Sequence, residues 1–288
     1  MKTKGKGVWG RGTKLGLPVV FLACIVFFLA GLFGSMLLSQ DISGVQMRPR
    51  LLESVEEKIE YNPMPHGETG ETSISSVPFQ VLSWKPRALY FPKFATAEQC
   101  QSIIKMAKSN LRPSTLVLRK GETVANTKGI RTSSGTFMSA SQDKTGILDI
   151  IEQKIARVTM IPKNHGEAFN ILHYEIGQRY ISHYDAFNPA EYGAPKSQRI
   201  ASFLLYLSDV KEGGETMFPC ENDFLDFNYD PEKCIGLKVK PRQGDGLLFY
   251  SLFPNGTIDP TSIHGSCPVI EGGKWVATKW IRDQEQEE

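Results

Sequence analysis

Residues 15–38 contain no charged side chain and are rich in Leu, Phe and Val. At ~1.5 Å of helical rise per residue, a run of that length crosses a hydrocarbon layer of about 30 Å. Lys2, Lys4, Lys6, Arg11 and Lys14 precede the run, and Asp41 follows it. That asymmetry holds the N-terminus in the cytoplasm and sends everything after Gln40 across the membrane. A cleaved signal peptide is the alternative reading, but the apolar core of such a peptide runs about 7–15 residues. The sequence therefore predicts a single-pass type II protein. It has a cytoplasmic tail (1–14), a signal anchor (15–38), a stem and linker (39–78) and a lumenal domain (79–288).

Within 48–59, Leu51, Leu52, Val55 and Ile59 recur at helical spacing among charged residues, which reads as a short stalk. Residues 62–78 mix Pro, Gly, Ser and Thr, the composition of a flexible linker. What remains is one domain of about 200 residues, enough to bury a substantial core. The net charge is +2, and no basic run interleaved with aromatics occurs beyond the first residues, which argues against nucleic acid as a partner. Nothing in the pattern fixes an oligomeric state.

Of the five cysteines, Cys24 falls in the apolar run. Cys100, Cys220, Cys234 and Cys267 would face the oxidising lumen of the endoplasmic reticulum or Golgi, where disulfides persist. Cys220 and Cys234 bracket a short polar segment and are expected to pair, with Cys100 and Cys267 left unassigned. Asn255-Gly256-Thr257 is a glycosylation sequon, consistent with a lumenal address.

Thr96 followed by Gln99 has the form of a capping box ahead of an apolar stripe of Cys100, Ile103, Ile104 and Ala107. Ile147, Leu148, Ile151, Ile155 and Val158 make a second stripe. After Glu167 the pattern becomes short strands separated by Gly, Pro and Asp turns: 168–174, 179–184, 200–207, 237–240, 247–251 and 274–281. The stretch 200–207 is nearly all apolar, as a strand covered on both faces would be. Helices first and many strands later predict an α+β, mainly β domain, a sandwich or jelly roll buttressed by helices.

His183 and Asp185 stand two apart near the end of a predicted strand, so their side chains project to the same face. His264 lies far downstream, after a strand and a Pro/Gly/Asn loop. Two imidazoles and one carboxylate on one face of an octahedron, with open positions opposite, suit a non-haem Fe(II) oxygenase. An isolated His-x-Asp is most often a surface accident, and a lone loop histidine is more often hydrogen-bonded than ligating. Lys274 changes that balance, because an oxoacid cosubstrate chelating the metal leaves a far carboxylate in need of a buried cation. Taken alone, Lys274 would read as a solvated strand-edge residue.

The stretch 170–185, with Tyr174, Gly177, Tyr180, His183 and Asp185, resembles the first motif of the membrane-bound plant prolyl 4-hydroxylases. Arg199 with 203–207, Gly213 to Thr216 with Phe218-Pro219, and His264-Gly265-Ser266-Cys267-Pro268 through Lys274 match it further. The resemblance covers 81–281 and implies a double-stranded β-helix fold with Fe(II), 2-oxoglutarate, O2 and L-ascorbate as cofactors. It implies that His183, Asp185 and His264 bind the metal and that Lys274 and Tyr174 bind the cosubstrate. Core packing is the alternative for Tyr174. The implied reaction couples decarboxylation of 2-oxoglutarate to succinate with hydroxylation at C4 of a peptidyl proline.

The same resemblance implies a proline-rich peptide in polyproline II form, contacted by Arg131, Ser133, Glu167, Tyr180, Arg199 and Trp280. Packing or solvated charge is the plain alternative for each of these six. Residues 123–135 and 187–197 are read as lids. Arg282 departs from the family, where a histidine can occur. The C-terminal cysteine-rich module that some relatives carry is not expected here. Two rival readings stay open: a related dioxygenase acting on another peptidyl side chain such as lysine, and a non-catalytic subunit that grips proline-rich chains.

Overall fold

The computed structural model describes residues 18, 22, 24–30, 77–223, 230 and 233–286. The chain divides into residues 1–72 and 73–288. In the first unit, residues 18, 22 and 24–30 are helical. No helix among the described residues is long and apolar enough to cross a membrane. The expected stem and linker, up to residue 76, and most of the expected anchor lie outside the described residues.

In the second unit, fourteen strands are described. They are β1 (Gln80–Trp84), β2 (Arg87–Phe91), β3 (Arg112–Pro113), β4 (Ser134–Met138), β5 (Phe169–Tyr174), β6 (Tyr180–His183) and β7 (Arg199–Tyr206). They continue with β8 (Glu212–Gly213), β9 (Thr216–Phe218), β10 (Leu237–Val239), β11 (Gly246–Tyr250), β12 (His264–Ser266), β13 (Val269–Glu271) and β14 (Lys274–Arg282). The large sheet runs β1-β2-β11-β7-β14-β5-β4-β3, a small one runs β10-β9-β12-β6, and β13 pairs with β8.

Period-two alternation gives the large sheet two different faces. One carries Phe169, Ile171, Phe203, Leu205, Leu248, Ala277 and Ile281, which pack on helices α1 (Ala97–Lys108) and α2 (Ile147–Thr159). Those helices bury Cys100, Ile103 and Ala107, and Leu148, Ile151 and Ile155, the stripes legible in the sequence. The Thr96 side chain accepts from Gln99 N, and the Gln99 side chain accepts in return, closing the capping box. Lys279, on the same face, is buried in an ion pair with Glu152 of α2. Truncating Ile103 to Ala would cost about 2–5 kcal/mol, because the helix could not collapse into the gap.

The opposite face carries Leu172, Tyr174, Leu204, Tyr206, Leu247, Phe249 and Val276, and closes on Phe218 and Val239 of the small sheet. Two sheets packed face to face with helices on one outer side fit the expected jelly-roll core.

Three expectations change. Strands β1 and β2 precede the first helix, so strands do not simply follow helices. The lid read at 123–135 ends inside β4, and the one at 187–197 holds a short helix, α3 (Pro189–Tyr192), capped by Asn188. The disulfide is also re-paired: Cys234 bonds Cys267 with Cα atoms 5.4 Å apart, while Cys220 is a buried free thiol. Sequence proximity favoured Cys220, but the chain turns that residue inward after β9. Cys267 reaches Cys234 from the end of β12, a contact made by sheet pairing across 33 residues.

Candidate active site

The small sheet brings both histidines together. His264 of β12 stands directly opposite His183 of β6 in an antiparallel pair, with ring centroids 4.4 Å apart. Opposed residues project to the same side of a sheet, so both imidazoles enter the space between the two sheets. Asp185 follows β6 by two residues and meets them there. Its Oδ1 lies 3.6 Å from His183 Nε2 and its Oδ2 lies 3.5 Å from His264 Nε2. The three ligand atoms all fall within 4.8 Å of one another.

Each ring is oriented by its own strand. His183 Nδ1 is 2.9 Å from the Ile181 carbonyl oxygen, and His264 Nδ1 is 2.9 Å from that of Ser262. A carbonyl only accepts, so Nδ1 carries a hydrogen and Nε2 is the nitrogen turned toward the centre. Tyr180 stacks on His183 with centroids 3.6 Å apart, and Phe249 lies 4.5 Å from His264. Ser202 Oγ, on the inner face of β7, donates to Asp185 Oδ2 at 2.5 Å.

Burial pushes the Asp185 carboxyl up, but the imidazoles of His264 and His183 overrule it and hold the group well below the usual range. Burial pushes the His264 imidazole down to about 4, against the pull of Asp185. A neutral imidazole beside a carboxylate is the state a metal needs. Bonds of about 2.1 Å at right angles put ligand atoms roughly 3 Å apart, so small shifts let these three share one ion with open positions opposite.

Beyond the cluster lies a narrow inner cavity bounded by Tyr174, Leu204, Thr216, Ser266, Lys274 and Val276. Lys274 faces Tyr174 as its direct partner across β14 and β5. It is 1% exposed and donates to Ser266 Oγ at 2.8 Å. Its Nζ sits 5.3 Å from the Tyr174 ring centroid. Burial pulls the ammonium down to about 7, with Glu215 opposing, and no ion pair of Lys274 is found among the described residues. A buried cation without a bonded anion fits the carboxylate of a small keto acid.

A family model described as the 2OG-Fe(II) oxygenase superfamily matches residues 169–282. The Arabidopsis thaliana protein called probable prolyl 4-hydroxylase 9 is 68% identical over 280 residues, spanning 96% of this chain and 97% of that protein. The chain belongs to the prolyl 4-hydroxylase family. Prolyl 4-hydroxylase 13 of the same plant is 55% identical over 280 residues, with 96% and 98% covered. A viral collagen prolyl hydroxylase from Paramecium Bursaria Chlorella virus-1, in its 2OG complex, is 26% identical. It covers 68% of this chain and 95% of that chain, with a TM-score of 0.49. Membership brings Fe(II), 2-oxoglutarate and O2 as the cofactor set of the family.

In this prolyl 4-hydroxylase-family chain an open groove of about 540 Å³ leads to the histidine cluster. Arg131, Tyr180, Arg199 and Trp280 line it, together with His183 and Asp185. Arg131 lies over the Tyr180 ring at 4.8 Å. Arg199 stacks on Trp280 at 3.7 Å and binds Glu167 through two hydrogen bonds of 2.6 and 2.7 Å. Glu167 is therefore spent on its arginines and does not line the groove. Burial raises its carboxyl, but Arg199 and Arg282 bring it below the usual range. Ser133 is 2% exposed, bonded to Ser114 Oγ and Arg131 Nε, and stands behind the groove wall.

Sequence reasoning missed Ser202, Ser266 and the role of Arg282, which donates to Glu167 Oε1 at 2.7 Å and to the Ser197 carbonyl at 2.7 Å. A serine within an apolar strand was the one available signal for Ser202, since a hydroxyl buried among hydrocarbons needs a partner.

Proposed function

We propose that the chain is a 2-oxoglutarate-dependent prolyl 4-hydroxylase acting on proline-rich peptides of the cell-wall type. His183 Nε2, an Asp185 carboxylate oxygen and His264 Nε2 hold Fe(II). Lys274 and Tyr174 hold the far carboxylate of 2-oxoglutarate. The bound iron and keto acid supply the oxidising chemistry: O2 is consumed, 2-oxoglutarate becomes succinate and CO2, and a prolyl C4–H becomes C4–OH. The protein's share is orientation and shelter. Both imidazoles are pre-aimed, Ser202 fixes the carboxylate, and Phe218, Phe249 and Leu204 keep bulk water from the inner face. In the groove, an extended left-handed peptide with few backbone donors lies against Tyr180 and Trp280.

The observation that carries this reading is the meeting of His183, Asp185 and His264 beside a buried Lys274 that has no ion-pair partner among the described residues. Succinate release with Fe(II), L-ascorbate and a proline-rich peptide tests it, with hydroxyproline mapped in the product. Turnover driven by a lysine peptide instead, or peptide binding without succinate, would overturn it. His264→Ala is expected to abolish turnover.

We also propose that the domain is lumenal, in the endoplasmic reticulum or Golgi, on a type II anchor at 15–38. The uncharged run behind a basic N-terminus and the Cys234–Cys267 disulfide support this address. Asn255, exposed in a turn, is its expected glycosylation site. Asn255→Gln is expected to remove a glycosidase-sensitive mobility shift. Protease digestion of the domain in intact microsomes would contradict the topology.

A further inference from the structure

We propose that Phe137 is a specificity-determining residue, an aromatic shelf on which a proline ring flanking the modified one stacks. The proposal rests on the prolyl 4-hydroxylase reading and names a substrate feature of the same groove. Phe137 is paired with Asn170 of β5, which in turn pairs with Thr278 of β14, so it belongs to the inner face of the large sheet. Tyr174, Tyr206, Phe249 and Trp280 of that face are buried, whereas Phe137 is 60% exposed. A ring left in water on the inner face adds little to the core, and a ligand that covers it regains the buried area.

Its surroundings leave room for one. Phe137 lines the groove with Trp280, and the two ring centroids are 6.3 Å apart at 38°. Two residues earlier on the same face stands Gly135, which also lines the groove; the space a side chain would take there is filled by Leu172 Cδ2, so nothing from that position screens the Phe137 ring. Trp280 borders both the groove and the inner cavity. A polyproline II chain has about three residues per turn and rises about 3.1 Å per residue, so two of its three edges meet a flat surface, and residues two positions apart lie one on each of those edges. A peptide presenting one proline over Trp280 therefore carries a neighbour two positions away within reach of Phe137. A proline there is already rigid, and stacking it orders no further rotamers.

The test compares two peptides, an unbroken oligoproline and one with isolated prolines among alanines. Phe137→Ala is expected to raise KM for oligoproline roughly five- to tenfold more than for the isolated-proline peptide, while kcat on oligoproline falls less than twofold. Phe137→Tyr, which keeps the ring, is expected to restore the preference. An equal change for both peptides, no change for oligoproline, or an effect confined to kcat overturns the shelf. Calorimetric binding of both peptides to the iron-loaded protein reads the same contrast without turnover. Binding that shows it in a protein unable to hydroxylate proline would sink the hydroxylase reading and keep the shelf. Hydroxylation without the contrast would do the reverse.

Discussion

Ser202 Oγ donates to Oδ2 of Asp185 from the centre of β7, so the strand that anchors the core also fixes the carboxylate of the metal cluster. Both groups are buried, which leaves the carboxylate few other partners.

Ser202→Ala removes that hydrogen bond and little else. Loss of a partner of this kind weakens metal affinity roughly 10- to 100-fold. Fe(II) titration of activity is expected to shift by that amount while the melting temperature stays close to wild type. An unchanged iron requirement would remove Ser202 from the site.

Lys274 gives a pH signature. Burial holds its ammonium at about 7, well below the usual 10.5 of a lysine. Between those values the unfolded chain binds more protons, so stability without ligand rises with pH from 7 to 10.5 and is lost as pH falls through 7. An arriving carboxylate favours the ammonium, so 2-oxoglutarate binding takes up a proton above pH 7 and weakens as pH rises. The KM for 2-oxoglutarate, measured from pH 6.5 to 9, is expected to climb. Lys274→Met is expected to flatten that dependence and raise KM about 10- to 100-fold, the loss of one charge-assisted contact.

The disulfide can be dissected by stability. Breaking the Cys234–Cys267 bond with Cys267→Ser is expected to cost about 2–4 kcal/mol, or roughly 5–15 °C in Tm. Cys220→Ser, which removes a free thiol, is expected to cost far less. Equal losses in thermal melts would contradict the pairing.

Arg199 binds Glu167 with two hydrogen bonds while stacking on Trp280, a combination that a lysine does not reproduce. Arg199→Lys is expected to raise peptide KM roughly tenfold, with the KM for 2-oxoglutarate within twofold of wild type. Steady-state kinetics varying each substrate separately would check this. A matching rise for 2-oxoglutarate would mean that the inner cavity had moved too.

Strands β5, β7, β11 and β14 were legible because they are covered on both faces, and buried strands spell themselves as apolar runs. Strands β1 and β2 were not, since exposed Trp84 and half-buried Leu89 sit among residues that resemble the linker before them. His183 and Asp185 announced themselves by local spacing. The opposition of His183 and His264, and the pairing of Cys234 with Cys267, depend on which strands become neighbours, and no local pattern carries that. Ser133 and Glu167 matched a motif, yet their side chains were committed to Ser114, Arg131, Arg199 and Arg282.

Lys274, Trp280 and Phe137 share the inner face of the large sheet with Ser202, and alternation ties the first two to one strand register. A slip of β14 by one position would therefore disable keto-acid capture and peptide grip in the same stroke. Phe137, near the margin of the sheet on β4, escapes that coupling. New tastes in substrate can arise at this rim while the oxidising machinery in the middle stays untouched.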